Sequence, residues 1–361
     1  MQQVKKDVIV IGGGLTGMTL CYLLLKSNIN CLVLEARTRL GGRIHTLHDD
    51  NSCPVEMGAT WIGRKHRNIH ALLGELGLNT FPQELGTTAF YEPISTSPPQ
   101  LVDLPYNEDP SYRIRGGSSM VIEKLEASIP SSHIIKNQLV KSITQQDANM
   151  EVKTQDRRFT TQHVVSTLPP GLFLATIKTH PDLPDSLEEI LATTHTWMGE
   201  SVKFSLSFSN PFWNEKGLSG TLFSNVGPIP EMYDHTDFTG THYALKGFIN
   251  SAYAALSLEE RKSLVLTQLK KYYGSRIDNY ISYSEKVWQK DPLTYTPYRT
   301  PLLPHQNNGH PIYRQSYMGG RLHIAGSETS VAFPGYMDGA VSSAIEIAQR
   351  IKESIMDSSS S

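Results

Sequence analysis

The 361-residue sequence contains only three cysteines, Cys21, Cys31 and Cys53, and none stands in a C-x-x-C pair. That spacing indicates neither a zinc knuckle nor a redox dithiol. Cys21 and Cys31 sit in apolar runs and read as small buried hydrophobes, which suits a reducing compartment. No stretch approaches the roughly 18 consecutive apolar residues of a membrane span, and no basic-then-apolar leader precedes the first strand. The chain is therefore expected to be soluble and cytoplasmic, without a membrane partner. Charge of one sign is not in excess. The net charge is −2, which argues against a general nucleic-acid binder. H-E-x-x-H and G-x-S-x-G are both missing and the 13 histidines are scattered, so neither a metal site nor a nucleophilic hydrolase is indicated.

Residues 6–11 (KDVIVI) form a short continuous apolar run, the mark of a strand buried on both faces. Glycines follow at once, then a helical pattern through Leu20, Leu23 and Leu24, then a second buried strand at 29–35. A strand–helix–strand unit of this kind implies a parallel sheet. Helices are expected at 67–76, 118–128, 258–273 and 336–351, and short strands within 133–158, at 164–168 and at 321–325. Residues 201–208 (SVKFSLSF) alternate strictly, which predicts a half-buried strand with Val202, Phe204, Leu206 and Phe208 on its apolar face. Residues 93–110 read as a loop or linker, and 291–311, with prolines at 292, 297, 301, 304 and 311, cannot be regular structure.

Gly12, Gly14 and Gly17, with Leu15 and Thr16 between them, form G-x-G-x-x-G between the first strand and its helix. The glycines permit a tight turn, close approach to a pyrophosphate and close helix–strand packing. The helix N-terminus offers free N–H groups to the phosphates. Glu35 ends the next strand about twenty residues on, where an acid binds ribose hydroxyls. A 2′-phosphate would meet that carboxylate unfavourably. NAD and FAD fit these features equally well. The next residues separate them: Ala36 and Arg37 lead into Arg39, Leu40, Gly41, Gly42 and Arg43, where two glycines flanked by arginines can wrap a second phosphate contact.

This run resembles the second fingerprint of the large FAD-binding superfamily. Three further segments are similar to flavin-containing amine oxidases of the monoamine oxidase type. Glu56-Met57-Gly58-Ala59-Thr60-Trp61 resembles the stretch along the isoalloxazine. Leu322 to Thr329, with Gly326, Ser327 and Glu328, resembles the last strand and G-x-E-T turn. Gly335 to Ala340, with Tyr336 and Met337, resembles the start of the last helix, whose N-terminus favours the negative charge that develops on the reduced ring.

The resemblance implies an α/β chain. Its Rossmann-like FAD-binding domain is discontinuous (1–76, 113–168, 312–355), with an inserted sheet-plus-helix substrate domain (77–112, 169–311) and an irregular tail at 356–361. It further implies that Val140 contacts the cofactor, that Tyr336 and Tyr298 wall an aromatic cage, that Trp288 lies near the flavin, and that Lys203 reaches its N5 through a water. From spacing alone, Lys203 reads as a solvated lysine and Tyr298 and Trp288 as packing.

The implied reaction takes a small amine and O2, with FAD held non-covalently, because Pro297 stands where some members carry a flavin-linking cysteine. The sequence also lacks the long helical portion that usually covers the substrate cavity between residues 78 and 113. Such a cavity is open, completed by a second copy in a homodimer, or unused. Two other readings stay open. One is a sister oxidoreductase acting on an amino acid (with Arg299 for the carboxylate), a polyene or a porphyrinogen. The other is a non-enzymatic FAD-binding scaffold or partner subunit.

Overall fold

The computed structural model describes residues 5–48 and 53–360. Its nine-stranded sheet is built around Lys5–Ile11, flanked in parallel by Cys31–Leu34 and Arg158–Ser166. Ile134–Ile135 extends the sheet beyond Cys31–Leu34. The first half of Arg158–Ser166 pairs antiparallel with Asn149–Thr154, which leads to Val140–Gln146 and Lys178–His180. Its second half pairs in parallel with Leu322–Ile324. The last strand therefore lies two places from the first.

From Val8 to Ile11 the central strand is apolar because both its faces are covered there. Val8 and Val10 pack beneath α1 (Leu15–Lys26), α2 (Arg67–Glu75) and α3 (Ser119–Ser128). Ile9 and Ile11 pack against α4 (Pro170–Thr176) and α5 (Asp185–Ala192) through Phe173, Leu187 and Leu191. Residues 169–192, which the sequence grouped with the substrate part, thus complete the nucleotide sheet. The prolines at 169 and 170 end the strand and start a helix that folds back onto it.

A second sheet has seven strands in the order Ser282–Val287, Val202–Phe208, Tyr243–Ile249, Glu231–Asp234, Leu222–Ser224, Thr88–Glu92 and Gln100–Asp103. On one face, Val202, Phe204, Leu206, Met232 and Leu245 pack under α6 (Leu258–Tyr273). That helix starts at Ser257 in a capping box with Glu260 and carries Lys270 and Lys271 in its last turn, each feature matching the helix dipole. The final helix α7 (Met337–Ser360) returns to the nucleotide sheet and packs along α1.

Three expectations are corrected. Residues 93–110 are not all loop, because Gln100–Asp103 forms the sheet edge beside Thr88–Glu92. An edge strand needs no apolar face, so its pattern gave no sign. Val202–Phe208 is buried at every position, since its polar face is roofed by the nucleotide part. The polar tail continues α7 as far as Ser360, and Ser361 lies outside the described residues. No helix among the described residues is long and apolar enough to cross a membrane. The three cysteines are free and buried.

Two buried imidazoles meet inside the nucleotide sheet, His323 Nε2 lying 3.5 Å from His163 Nδ1. Burial, and then the neighbouring His163 and Arg350, push His323 down to about 3. Burial and Arg321 lower His163. Both are held neutral in the fold, while the unfolded chain takes up protons below about pH 6.5. Stability is therefore full above that pH and is lost as pH falls towards the folded values. The thermal midpoint is expected to drop steadily from about pH 6.5 to pH 4, and His323→Leu should flatten that slope. Equal slopes in the two proteins would show that the pair does not set acid sensitivity.

Candidate functional site

A cavity of about 560 Å3 lies where the carboxyl ends of the nucleotide-sheet strands meet the polar face of the second sheet. Its size falls in the ordinary range for cofactor sites, and its position is the one at which open parallel sheets bind ligands. At one end are Gly12, Gly14, Leu15, Thr16, Glu35, Arg37, Gly42 and Arg43. At the other are Gly58, Ala59, Thr60, Trp61, Lys203, Trp288, Ser327, Tyr336 and Met337. The fold thus brings these predicted residues to one place, although they come from both ends of the chain.

Helix α1 starts from Gly14 with no side-chain cap, so its first N–H groups are free for a ligand. A methyl on Gly14 would find only the Gly41 carbonyl oxygen, 3.9 Å away, which leaves room for a phosphate. Gly17 serves packing instead, since a Cβ there would sit 2.0 Å from the Gly12 carbonyl oxygen. Glu35 is buried, and its carboxylate is oriented by the N–H groups of Gly13 (2.7 Å) and Arg37 (2.8 Å). Arg37 donates to Asp291 (2.7 Å) and Thr294 (2.8 Å), clamping the proline-rich segment against the phosphate end.

Arg43 holds the middle together. It donates to both oxygens of Glu328, to Ser327 Oγ (3.0 Å) and to the Trp197 carbonyl (3.0 Å). Burial pushes the Glu328 carboxyl up, but Arg43 and the Ser327 hydroxyl outweigh it and keep the group below its ordinary value. Gly58 is needed against protein rather than ligand, because a Cβ there would lie 2.0 Å from the Arg43 carbonyl oxygen. Trp288 donates its indole N–H to the Met57 carbonyl at 2.7 Å.

Lys203 is not solvated. It is 3% exposed, donates to the Gly58 carbonyl at 2.5 Å and lies over the Phe248 ring. Burial lowers it to about 8, against the pull of Glu56 and Glu231. The structure also shows what the sequence reading missed. Trp197 lines the cavity with its ring centroid 5.8 Å from that of Tyr336, and His305 stacks on Trp197 at 4.1 Å. Glu231 and Phe248 come from the second sheet. Lys246, wholly buried, shares a hydrogen bond with Thr60 Oγ1 and lies 4.5 Å from the Trp61 ring centroid. The two strands contributing Lys246 and Glu231 were not recognised in the sequence.

Some predicted residues lie elsewhere. Tyr298 does not line the cavity; its hydroxyl accepts the Thr196 N–H at 2.9 Å and its ring faces Tyr295 and His195. Trp197 occupies the place beside Tyr336. Ala36 and Val140 line an adjoining cleft of about 50 Å3. Gly326 supports the turn, donating its N–H to Ser343 Oγ, and Glu328 acts through Arg43. Arg299 is exposed and away from the cavity. No cluster of His, Cys, Asp and Glu among the described residues could hold a metal ion.

A family profile described as flavin containing amine oxidoreductase matches residues 15–95 and 94–352. The chain belongs to this family. Among its relatives is a "Probable flavin-containing monoamine oxidase A" of Dictyostelium discoideum, 24% identical over 460 aligned positions that cover 98% of each chain. Another is the flavin-containing amine oxidase B of Mus musculus, 25% identical over 459 positions, covering 97% of this chain and 87% of the relative. These aligned spans exceed the chain's 361 residues, so the relatives carry segments that it lacks. The fold is shared with a putrescine oxidase (TM-score 0.85, 21% identity, 98% of this chain and 100% of that one). It is shared also with the cyclohexylamine oxidase of Brevibacterium oxydans IH-35A (TM-score 0.84, 20% identity, 97% and 99%).

Removing Arg43 would leave Glu328, 1% exposed, as a buried charge without its cation. Arg43→Met is expected to cost about 3–5 kcal/mol of stability at neutral pH, measured by urea unfolding. A loss below about 1 kcal/mol would show that the pair behaves like a surface ion pair.

Proposed function

We propose that the chain binds FAD non-covalently and oxidises a primary or secondary amine to an imine. The observation that carries this reading is a single cavity with a helix N-terminus at each end, α1 at Gly14 and α7 at Met337, and a buried lysine beside the second. A pyrophosphate and a ring that becomes negative on reduction each suit a helix N-terminus. The residues fit the cofactor. Glu35 is oriented to take ribose hydroxyls, Gly14 leaves the pyrophosphate room, and Gly42 and Arg43 flank it. Thr60, Trp61, Lys203, Tyr336 and Met337 surround the space for the ring. None of the three cysteines lines the cavity: Cys21 and Cys31 are buried in the core around α1, and Cys53 lies against Pro54 and His235, which supports a non-covalent complex.

When bound, the flavin would accept a hydride equivalent from the carbon beside the amine nitrogen and pass the electrons to O2, giving hydrogen peroxide. The protein's part is positioning and electrostatics. Tyr336 and Trp197 present ring faces that attract a cationic amine and hold its nitrogen near the ring space. Lys203 places a donor, and positive charge below about pH 8, where O2 gains electrons. Because the folded value is lowered, that charge is lost as pH rises through about 8. Tyr336 is 38% exposed, so the cavity opens to solvent beside the cage. Arg299 is exposed and does not line the cavity, so it gives no support to amino-acid oxidation.

Purified protein should be yellow, and acid should release free FAD. Anaerobic addition of benzylamine, cyclohexylamine or putrescine should bleach the flavin band, and O2 should restore it. Lys203→Met should slow that return about tenfold or more with FAD still bound; bleaching by none of these amines would remove the amine oxidase reading.

Tyr336→Ala and Trp197→Ala should each lower amine-dependent flavin reduction at least tenfold, whereas Tyr298→Phe should change it less than threefold. The reverse ranking in stopped-flow measurements would make Tyr298 the cage wall.

A further inference from the structure

Lys203 and Lys246 come from neighbouring strands and lie on the same, cavity-side face of the second sheet, where Lys203 stands opposite Phe248 and Lys246 opposite Ser205. Lys203 is 3% exposed and Lys246 not at all. Among the described residues, neither ammonium has a carboxylate oxygen within 4.0 Å. Two like charges buried close together without partners are costly, and the deeper one is expected to give up its proton. Lys203 faces the cavity directly. Lys246 does not line it; it lies behind Thr60, with which it shares a hydrogen bond, and beneath the Trp61 ring.

The hydrogen bonds form one chain. Lys203 donates to the Gly58 carbonyl, which also lies 3.2 Å from Thr60 Oγ1, and Thr60 Oγ1 in turn meets Lys246 Nζ. Thr60 has one hydroxyl proton and two acceptors for it: the Gly58 oxygen, or the lone pair of an uncharged Lys246.

We propose that Lys246 is an uncharged amine that serves as the proton acceptor for the cavity, reached through the Thr60 hydroxyl, while Lys203 keeps the positive charge. This rests on the amine oxidase reading above. An amine arrives in water as its ammonium ion and must lose a proton before its carbon can give up a hydride. In the proposed step an N–H bond of the substrate ammonium breaks and its proton goes to Thr60 Oγ1. The Thr60 proton passes to Lys246 Nζ. The result is a neutral amine in the cavity and an ammonium on Lys246, with no electrons exchanged. Once the product has left, the Lys246 ammonium returns its proton through Thr60 to water entering the cavity, which restores the uncharged amine.

The charges around Lys246 are consistent with this role. Lys203 faces it from Val202–Phe208, Arg113 from the strand Tyr112–Ile114, Glu56 from Val55–Glu56, and Glu231 with Tyr233 from Glu231–Asp234; His235 follows that last strand. Glu56 is already engaged by the Ser118 N–H and the Thr46 hydroxyl, and Glu231 accepts from Tyr233 at 2.7 Å. Burial dominates, followed by Lys203, and together they hold Lys246 well below its ordinary value.

The test combines a titration and a rate profile on the holoprotein. With lysine labelled at 13Cε, wild type should show a resonance titrating well below the ordinary lysine range that is absent from Lys246→Met and retained in Thr60→Val. In wild type, the anaerobic flavin reduction rate with the fastest of the three amines should hold level well below the amine's own pKa. In Lys246→Met and in Thr60→Val it should instead rise tenfold per pH unit up to that pKa. Lys246→Gln, an uncharged polar replacement, should behave like Lys246→Met, and it stands in should the methionine variant fail to fold.

A Lys246 resonance titrating near the ordinary lysine value overturns the proposal. So does an unchanged pH profile in both variants, even beside a low-titrating resonance. Failure of every amine to bleach the flavin would sink the oxidase reading instead, and the titration would still decide the charge of Lys246.

Discussion

The site depends on a carboxylate that the fold cannot leave alone. Glu328 sits in a turn near the end of the chain, almost fully buried, and the cation that satisfies it is Arg43, 285 residues earlier. A buried charge with a two-pronged partner is strongly coupled to that partner's position. By gripping Glu328, Ser327 and the Trp197 carbonyl together, Arg43 sets three loops at one distance from one another. The cavity lies among those loops. Its phosphate end and its aromatic end are therefore parts of one rigid arrangement, with Gly58 pressed against the Arg43 backbone from the other side.

The second sheet contributes the other half. One of its faces is an ordinary apolar surface under α6. The other carries Phe248 and also Lys203, Ser205 and Lys246, polar residues that would usually meet water. Covering that face with the nucleotide part removes the water and leaves the polar groups to satisfy one another through Gly58 and Thr60. This is why the Gly58–Trp61 stretch, which has no regular structure, is well fixed. It is held from below by two lysines and from the side by Trp288.

What could be read in advance follows from the range of each interaction. The glycine motif, Glu35 and the buried strands are local patterns, with every needed residue inside a short window, and the structure places them in one unit. The Leu322–Ile324 strand and the start of α7 are assigned to the nucleotide part through the resemblance, but the position of that strand, two places from Lys5–Ile11, rests on sheet pairing that no local pattern encodes. Lys203 read as a solvated residue since alternation shows which side chains share a face and is silent on what covers it. Trp197 lies in an irregular stretch with no periodicity, so nothing local marks it as lining the cavity, whereas Tyr298 is singled out by the resemblance. Lys246 depends on the register of strands some forty residues apart, which no local pattern encodes. Gln100–Asp103 went unseen for the opposite reason: as an edge strand it is shaped by backbone pairing and not by an apolar stripe.

The convergence of α1 and α7 has an effect outside catalysis. Their positive ends open on one space that Lys203 also faces without a carboxylate partner among the described residues, so the fold gathers free N–H groups and positive charge around it. A dianionic occupant relieves this, and whatever binds only the folded form raises its population by mass action. The stability of the folded chain is thereby tied to the concentration of whatever anionic ligand fills this space.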